Sequence, residues 1–238
     1  MKLIFIRHAE PDYSIDSLTE KGWREARLLS ERVKNWDITD IYCSPLGRAK
    51  DTAADSLKAL SKEAEIYSWL KEFTVWVKDP ITGEKRIPWD FMPDYWTNIP
   101  QMYHKDLWMK APIMEAENVS SAYSEVTEGI DSLLGNYGYV REGGLYKVKE
   151  DADTEAVLVF FCHLGVTMTI LSHILGIAQP LLTHGFFLAP SSVTVLASEE
   201  RMKGKAYFRV QVMGDTGHLT RASEPVSQAG YFTEPFQG

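Results

Sequence analysis

Residues 156–162 read Ala-Val-Leu-Val-Phe-Phe-Cys, seven apolar side chains in a row between Glu155 and His163. A strand's side chains alternate between two faces, so a strand with no polar position is buried on both. That segment excludes a sheet with one face in water. The rest of the chain supplies the covering layers. Lys2–Arg7 is a second apolar strand, and Leu18, Gly22, Ala26, Leu29 and Val33 recur at helical spacing, a helix over 19–33 capped by Thr19. A strand at 40–43 precedes a helix over 45–60 with Pro45 in its first turn, and a short strand fits 65–69. Helical spacing returns over 118–139, another helix spans 165–176, and two strands at 192–198 and 206–213 flank a polar turn. This alternation specifies an α/β fold, a three-layer α/β/α sandwich around a mostly parallel sheet.

The rhythm breaks over 73–115. These 43 of 238 residues, under a fifth of the chain, hold four of seven tryptophans (Trp76, Trp89, Trp96, Trp108), four of eight methionines and five of eleven prolines. A structureless run of that length is unusual inside a compact domain, so the expectation is one catalytic domain over 1–238 carrying an inserted, aromatic-rich cap. The simplest form of that cap is a small satellite core; the alternative is that some of its rings line a substrate pocket for a nucleoside, sugar or other bulky alcohol group. The tail from Ala222, with its Pro, Ser, Gly and Gln, is expected to be partly disordered.

Composition narrows the function classes. With 25 basic against 33 acidic side chains, a formal net charge of -8, the chain is not a general nucleic-acid binder. No apolar run approaches the roughly 20 residues of a membrane span, and Arg7-His8 interrupts the apolar N-terminus too early for a signal peptide. Two cysteines make no disulfide framework, which points to a reduced, cytoplasmic protein. Cys43 and Cys162 are expected as small buried strand residues, oxidation-sensitive only if they are neighbours.

Polar residues concentrate at three strand ends: Arg7-His8-Ala9-Glu10, Ser44-Pro45-Leu46-Gly47-Arg48 and His163-Leu164-Gly165. In open α/β sheets, binding sites lie beyond the carboxyl ends of the strands. Two arginines and two histidines brought together there suit a phosphoryl group, because guanidinium forks bind its oxygens and a neutral imidazole can attack phosphorus. A helix N-terminus near Gly165 would add backbone donors.

On these residues the chain resembles the histidine phosphatase superfamily, which includes cofactor-dependent phosphoglycerate mutase. The resemblance runs in order through Arg7-His8-Ala9-Glu10, Leu18-Thr19-Glu20-Lys21-Gly22 with Ala26, Ser44 to Ala53, Trp69-Leu70-Lys71-Glu72 and His163-Leu164-Gly165. It implies that His8 is the nucleophile that becomes phosphohistidine. Arg7, Arg48 and His163 then clamp the transferred group, and Glu72 protonates the leaving oxygen before activating water. Leu164 and Ser14 complete the substrate contacts, Ser14 standing where family mutases carry Asn. Glu10 orients the loop. Such chemistry needs the second nitrogen of His8 to be held by an acceptor, a raised pKa at Glu72, and no metal or other cofactor.

Two further departures favour hydrolysis over transfer. Phe73-Thr74-Val75 lack the Tyr-Gly pair of mutases, and the insertion offers only Lys85-Arg86 as an adjacent basic pair. The expected activity is phosphomonoester hydrolysis, the alternatives being a phosphoglycerate-mutase-type phosphotransferase and a non-catalytic phospho-ligand binding protein. The expected partner is a small phosphorylated substrate, with neither nucleic acid nor membrane, and a homodimer is left open. His184 and His218 are the remaining histidines placed best to line a pocket, both standing in turns near strand ends.

Overall fold

The computed structural model describes residues 1–88 and 90–237; Trp89 lies outside the described residues. In chain order the strands are β1 (Lys2–Arg7), β2 (Pro11–Asp12), β3 (Ser17–Leu18), β4 (Asp40–Cys43), β5 (Glu65–Ile66), β6 (Val77–Lys78), β7 (Lys85–Arg86), β8 (Tyr139–Glu142), β9 (Leu145–Val148), β10 (Val157–Cys162), β11 (Val193–Met202) and β12 (Lys205–Asp215). The helices are α1 (Glu20–Val33), α2 (Gly47–Leu60), α3 (Pro93–Trp96), α4 (Pro112–Ala116), α5 (Val119–Asn136), α6 (Leu164–Leu175), α7 (Gln179–Gly185) and α8 (Gly217–Arg221).

Eight strands form the main sheet in the order β5-β4-β10-β1-β11-β12-β9-β8. The β5, β4, β10 and β1 strands pair in parallel, while the pairings from β1 through β11, β12 and β9 to β8 are antiparallel. Six of the eight strands therefore point the same way, β11 and β9 being reversed. The apolar run lies at the centre as expected. Its Leu158, Phe160 and Cys162 join Leu3 and Phe5 of β1 in the core under α5 and α6, while Val159 and Phe161 join Ile4 and Ile6 in the core under α1 and α2. One sheet with two apolar faces is thus covered by helices on both sides.

Local signals place the elements. Thr19 caps α1, its side chain accepting from the Gly22 N–H. Gly22 has a second duty: a Cβ there would stand 2.2 Å from the Glu10 carbonyl oxygen, so only glycine lets α1 approach the loop after β1. The strand expected over 65–69 is cut short, with Ser68–Leu70 turning into a 3-10 helix. The hairpin of β8 and β9 has no counterpart in the sequence reading; its alternation is short and Gly143-Gly144 forms the turn.

Two expectations are corrected. The insertion is not a satellite core, because Phe73, Val77, Phe91, Met102, Trp108, Ala111, Ile113 and Met114 are buried in one continuous cluster with β1, β10 and α5. Its prolines start short helices (α3, α4 and a 3-10 turn at Pro100–Tyr103), and the rings of Phe73, Phe91 and Trp108 pack inward while Trp76 and Tyr103 stay exposed. The first part of the tail after Ala222 is tied down rather than loose, while Phe232 and Phe236 near its end are exposed. Val226 and Ser227 are buried, the Ser227 hydroxyl donates to Glu10 Oε2 at 2.6 Å, and Lys21 and Arg24 both reach Glu224.

Behind the loop after β1 lies a buried carboxyl. Glu25 is 0% exposed, and its Oε2 accepts from the Glu10 N–H at 2.9 Å while Lys21 stands 3.7 Å from Oε1. Burial pushes its pKa up from the ordinary 4.5 to about 7, against the opposing pull of the Glu10 N–H and Lys21. A carboxyl with a raised folded pKa loses stability as pH rises from the unfolded value through the folded one. Glu25→Gln keeps the acceptor for Glu10. It should therefore raise the unfolding free energy by about 1–3 kcal/mol at pH 8 and leave it unchanged near pH 4. Urea titrations at the two pH values test this; an equal change at both would show that Glu25 does not titrate in that range.

Candidate active site

Parallel register sets three strand ends level. Arg7 stands opposite Cys162 and Phe161 opposite Cys43. The ladder continues one step beyond the strands, with the His8 N–H on the Cys162 carbonyl and the Ser44 N–H on the Phe161 carbonyl. His8, His163 and Ser44 are consequently neighbours, although 155 residues separate the two histidines. The loop after β1 is stapled to α2 by Thr52, whose Oγ1 accepts from the Ala9 N–H and donates to the Arg48 carbonyl. On its other side the His8 carbonyl accepts from the Ser191 N–H, Ser191 being held at a left-handed φ of 58°. The Ser191 hydroxyl pairs with His218 Nε2 at 3.0 Å. His218 therefore braces the site from behind.

The two imidazoles are 5.1 Å apart between centroids and tilted by 59°. His8 is 2% exposed, and its Nδ1 sits 2.8 Å from the Ala9 carbonyl, which can only accept. The proton therefore belongs on Nδ1 and the lone pair on Nε2. His163 has the opposite orientation. Its Nε2 is 2.7 Å from Ser44 Oγ, which accepts from the Leu46 N–H and has no other acceptor for its own proton among the described residues; the hydroxyl therefore donates to Nε2 and the His163 proton sits on Nδ1. His163 is 0% exposed and Nδ1 has no hydrogen-bond partner among the described residues. Burial holds both imidazoles well below their ordinary pKa, and the fields of Arg7 and Arg48 push the same way. The pair thus combines an unprotonated Nε2 with a free N–H donor.

Arg7 and Arg48 are held alike. Arg7 Nη1 donates to the Leu188 carbonyl at 2.5 Å, with the guanidinium 5.2 Å over the Phe187 ring. Arg48 Nη1 donates to Asp16 Oδ1 at 2.6 Å, with its guanidinium 5.4 Å over the Tyr13 ring. In each, Nε is buried and has no partner among the described residues. Two arginines pinned at Nη1 and bare at Nε, with the bare Nδ1 of His163, leave three buried donors unpaired in the neighbourhood of His8, whose ring both guanidinium fields reach. Buried donors left unpaired are costly, so such a cluster suits an anion.

Glu72 follows the 3-10 turn and is half-buried. Its Oε1 accepts from the Phe73 N–H at 2.8 Å and from the Val166 N–H, in the first turn of α6, at 3.1 Å. Burial raises its pKa, while Phe73, Arg7, Val166 and Arg48 pull it down. A cavity of about 180 Å3 adjoins it, walled by Trp69, Phe73, Val75, Ala122 and Val126, with Lys71 and Glu125 paired at 3.3 Å on its rim. The α6 N-terminus thus spends one of its backbone donors on this carboxyl. Leu164 opens that helix, directly after His163.

Five of the residues singled out in the sequence therefore meet: Arg7, His8, Arg48, Glu72 and His163. Ser14 does not join them; it is exposed, and its hydroxyl donates to Asp12 Oδ1 at 2.6 Å within its own loop. Glu10 ties the loop as expected, accepting from Thr19 and Ser227. Cys43 and Cys162 lie in cores on opposite faces of the sheet, and burial pushes both thiols up to about 12, so they are not a reactive pair. His184 is in the insertion's aromatic cluster, its ring 4.6 Å from that of Trp96. Ser44, Asp16, Leu188 and Ser191 escape the sequence reading as positioning groups, Ser44 despite its place in a recognised motif.

Ser44 is the group that selects the His163 tautomer. Ser44→Ala leaves Nε2 buried and unpaired and frees the ring to move its proton, away from the bare Nδ1 position. Loss of that bond is expected to cost about 1–3 kcal/mol in whatever anion affinity the site has, roughly five- to 150-fold, with orthophosphate binding by calorimetry as the readout. Wild-type affinity in the variant would assign the tautomer to something else.

Comparison with known proteins agrees with this architecture. Residues 3–206 match the model of the histidine phosphatase superfamily, branch 1. Among curated relatives, a probable phosphatase of Schizosaccharomyces pombe is 34% identical over 79 residues, covering 29% of this chain and 28% of the relative. A 2,3-bisphosphoglycerate-dependent phosphoglycerate mutase of Thermoplasma acidophilum is 36% identical over 70 residues, 25% of this chain and 35% of the relative. These matches span about a third of the curated relatives' length. Among solved structures, a phosphoserine phosphatase mutant from Entamoeba histolytica in complex with phosphoserine has a TM-score of 0.60 at 20% identity, covering 92% of this chain and 98% of that one. A mycobacterial glucosyl-3-phosphoglycerate phosphatase has a TM-score of 0.59 at 15% identity, covering 90% and 99%. The fold is theirs, and with the family model matched over most of its length, this chain belongs to the histidine phosphatase superfamily.

Proposed function

We propose that the protein is a phosphomonoester hydrolase working through a phosphohistidine on His8. The observation that supports this reading is a set of buried, unpaired donors, Arg7 Nε, Arg48 Nε and His163 Nδ1, on residues that neighbour an imidazole whose Ala9 contact leaves Nε2 unprotonated. The arginines and His163 hold the phosphoryl oxygens and offset the charge that would repel a nucleophile. His8 Nε2 forms the bond to phosphorus as the ester P–O bond breaks, and Glu72 gives its proton to the departing oxygen. The Glu72 carboxylate then takes a proton from water as that water's oxygen attacks phosphorus. The P–N bond breaks, its electron pair returns to Nε2, and inorganic phosphate leaves. The reaction uses no metal ion or other cofactor.

A mutase reading is favoured by one observation, the near-complete burial of His8 and His163, since transfer back to substrate requires water to be kept out. Against it, the arginine of the insertion's one adjacent basic pair is not free to hold a second anionic group of the substrate. Arg86 is already surrounded by Asp79, Glu84 and Asp90 at 3.4, 3.5 and 3.1 Å. Phosphorus NMR of products distinguishes the two: hydrolysis yields orthophosphate, transfer yields a positional isomer of the substrate.

The decisive assay runs wild type and His8→Ala on a panel of phosphomonoesters with EDTA present. Wild-type hydrolysis and its loss in the variant, by about 10³-fold or more, are expected. Turnover that survives in His8→Ala, or that EDTA abolishes and metal restores, would overturn the mechanism. Glu72 must be protonated for the first step, so activity on esters with poor leaving groups should fall on the alkaline side as the carboxyl ionises. Glu72→Gln should remove that limb and slow such esters by about 10²-fold or more, while activated aryl esters suffer less. Equal losses on both ester classes would assign the acid elsewhere.

A further inference from the structure

Arg48 is useful to a phosphoryl group only if the correct edge of its guanidinium is presented. What fixes that edge comes from a different segment, the loop between β2 and β3 directly after the His8 strand. Asp16 stands at the end of that loop with φ of 48°, a left-handed conformation that Asp and Asn tolerate better than most residues. Its two carboxylate oxygens are divided between two neighbouring residues of α2. Oδ2 accepts from the Gly47 N–H at 2.7 Å, and Oδ1 accepts from Arg48 Nη1 at 2.6 Å.

The α2 helix has no cap of its own. Leu46 at its N-cap makes no side-chain bond, and no acidic residue lies in its first turn. Asp16 supplies both functions from outside the helix, satisfying an orphan N–H and placing a negative charge at the positive end of the helix dipole. The approach is close: a Cβ on Gly47 would stand 2.1 Å from the Asp16 carbonyl oxygen, so glycine is required there. One residue on, Ser17 Oγ donates to Asp51 Oδ2 at 2.5 Å, a second tie between the loop and α2. Burial of Asp16 favours its protonated form, but the Gly47 N–H and Arg48 outweigh it, and the carboxyl stays ionised below its ordinary range.

We infer that Asp16 is a positioning residue for phosphoryl binding: it takes Nη1 of Arg48 and thereby turns the Nε–Nη2 edge of that guanidinium toward His8 and His163. The parallel with Arg7 supports this. There a neutral carbonyl, Leu188, takes Nη1 and Nε is likewise buried and unpaired. Both arginines thus present the same edge, and bidentate recognition of phosphate depends on that orientation. Arg48 differs in being held by a charge. The Asp16 inference rests on the proposed role of Arg48 as a phosphoryl ligand.

The test is a double-mutant cycle on full-length protein, read by inhibition with orthophosphate and by kcat and KM on one hydrolysed ester. Asp16→Gly keeps the left-handed backbone available while removing the carboxylate. Asp16→Asn keeps one acceptor. Asp16→Gly should weaken orthophosphate inhibition by about tenfold or more and raise KM similarly, with Asp16→Asn recovering part of the loss. Combined with Arg48→Ala, Asp16→Gly should add little further loss, because its effect acts through Arg48. Full additivity of the two substitutions, or unchanged inhibition in Asp16→Gly, would overturn the inference. A wild type and an Arg48→Ala protein with equal orthophosphate inhibition would instead overturn the underlying role of Arg48. A merely structural Asp16 would lower the thermal midpoint of both Asp16 variants and leave inhibition constants of the folded protein unchanged.

Discussion

The parallel pairing of β4, β10 and β1 is the constraint on which the site depends. Parallel ladders end level, and here the three ends deliver Ser44, His163 and His8 side by side at the edge of a rigid sheet. The burial of β10 on both faces makes that register hard to slip. A shift of one residue would turn Phe160 and Phe161 to the wrong cores, and a strand with two apolar faces has no tolerant side. Everything chemical in the molecule is mounted on this alignment.

Around it the protein spends backbone and carboxylate groups on orientation. Ala9 and Leu188 carbonyls, the Ser44 hydroxyl and the Asp16 carboxylate each bind one atom of a site residue and leave the opposite atom bare. The two imidazoles end with their protons on Nδ1, but with opposite consequences: His8 uses that proton to anchor itself, and His163 holds it out as a donor. Burial performs the remaining adjustment. It keeps both rings neutral beside two guanidinium groups, and it raises Glu72 in a place where a proton donor is useful.

The sequence made the central elements legible because each carries a periodic signal. The run at 156–162, the helix at 19–33 with its Thr19 cap, and the strand at 2–7 all stand where periodicity places them. The β8–β9 hairpin was not legible, because two four-residue strands are too short for alternation to stand out from a helix end. The insertion and the tail misled for a common reason. Prolines, aromatics and turn residues report the absence of regular periodicity, and neither says whether a segment is packed. Phe91, Met102 and Trp108 belong to the main core, and Ser227 closes on Glu10 across 217 residues of chain, contacts that no local pattern encodes.

For the site, residue types and their order along the chain marked Arg7, His8, Arg48 and His163 on their own as a set suited to an anion, and the family resemblance added Glu72. Those properties are local: a polar motif after an apolar strand is visible in any window that contains both. Which nitrogen of each histidine carries the proton, which edge of each arginine is free, that Ser14 turns to Asp12, and that Asp16 reaches Arg48 were decided only by tertiary structure. Each of those outcomes depends on a partner from another segment at hydrogen-bond distance. Spacing along a chain does not contain that distance until the sheet has brought the segments together.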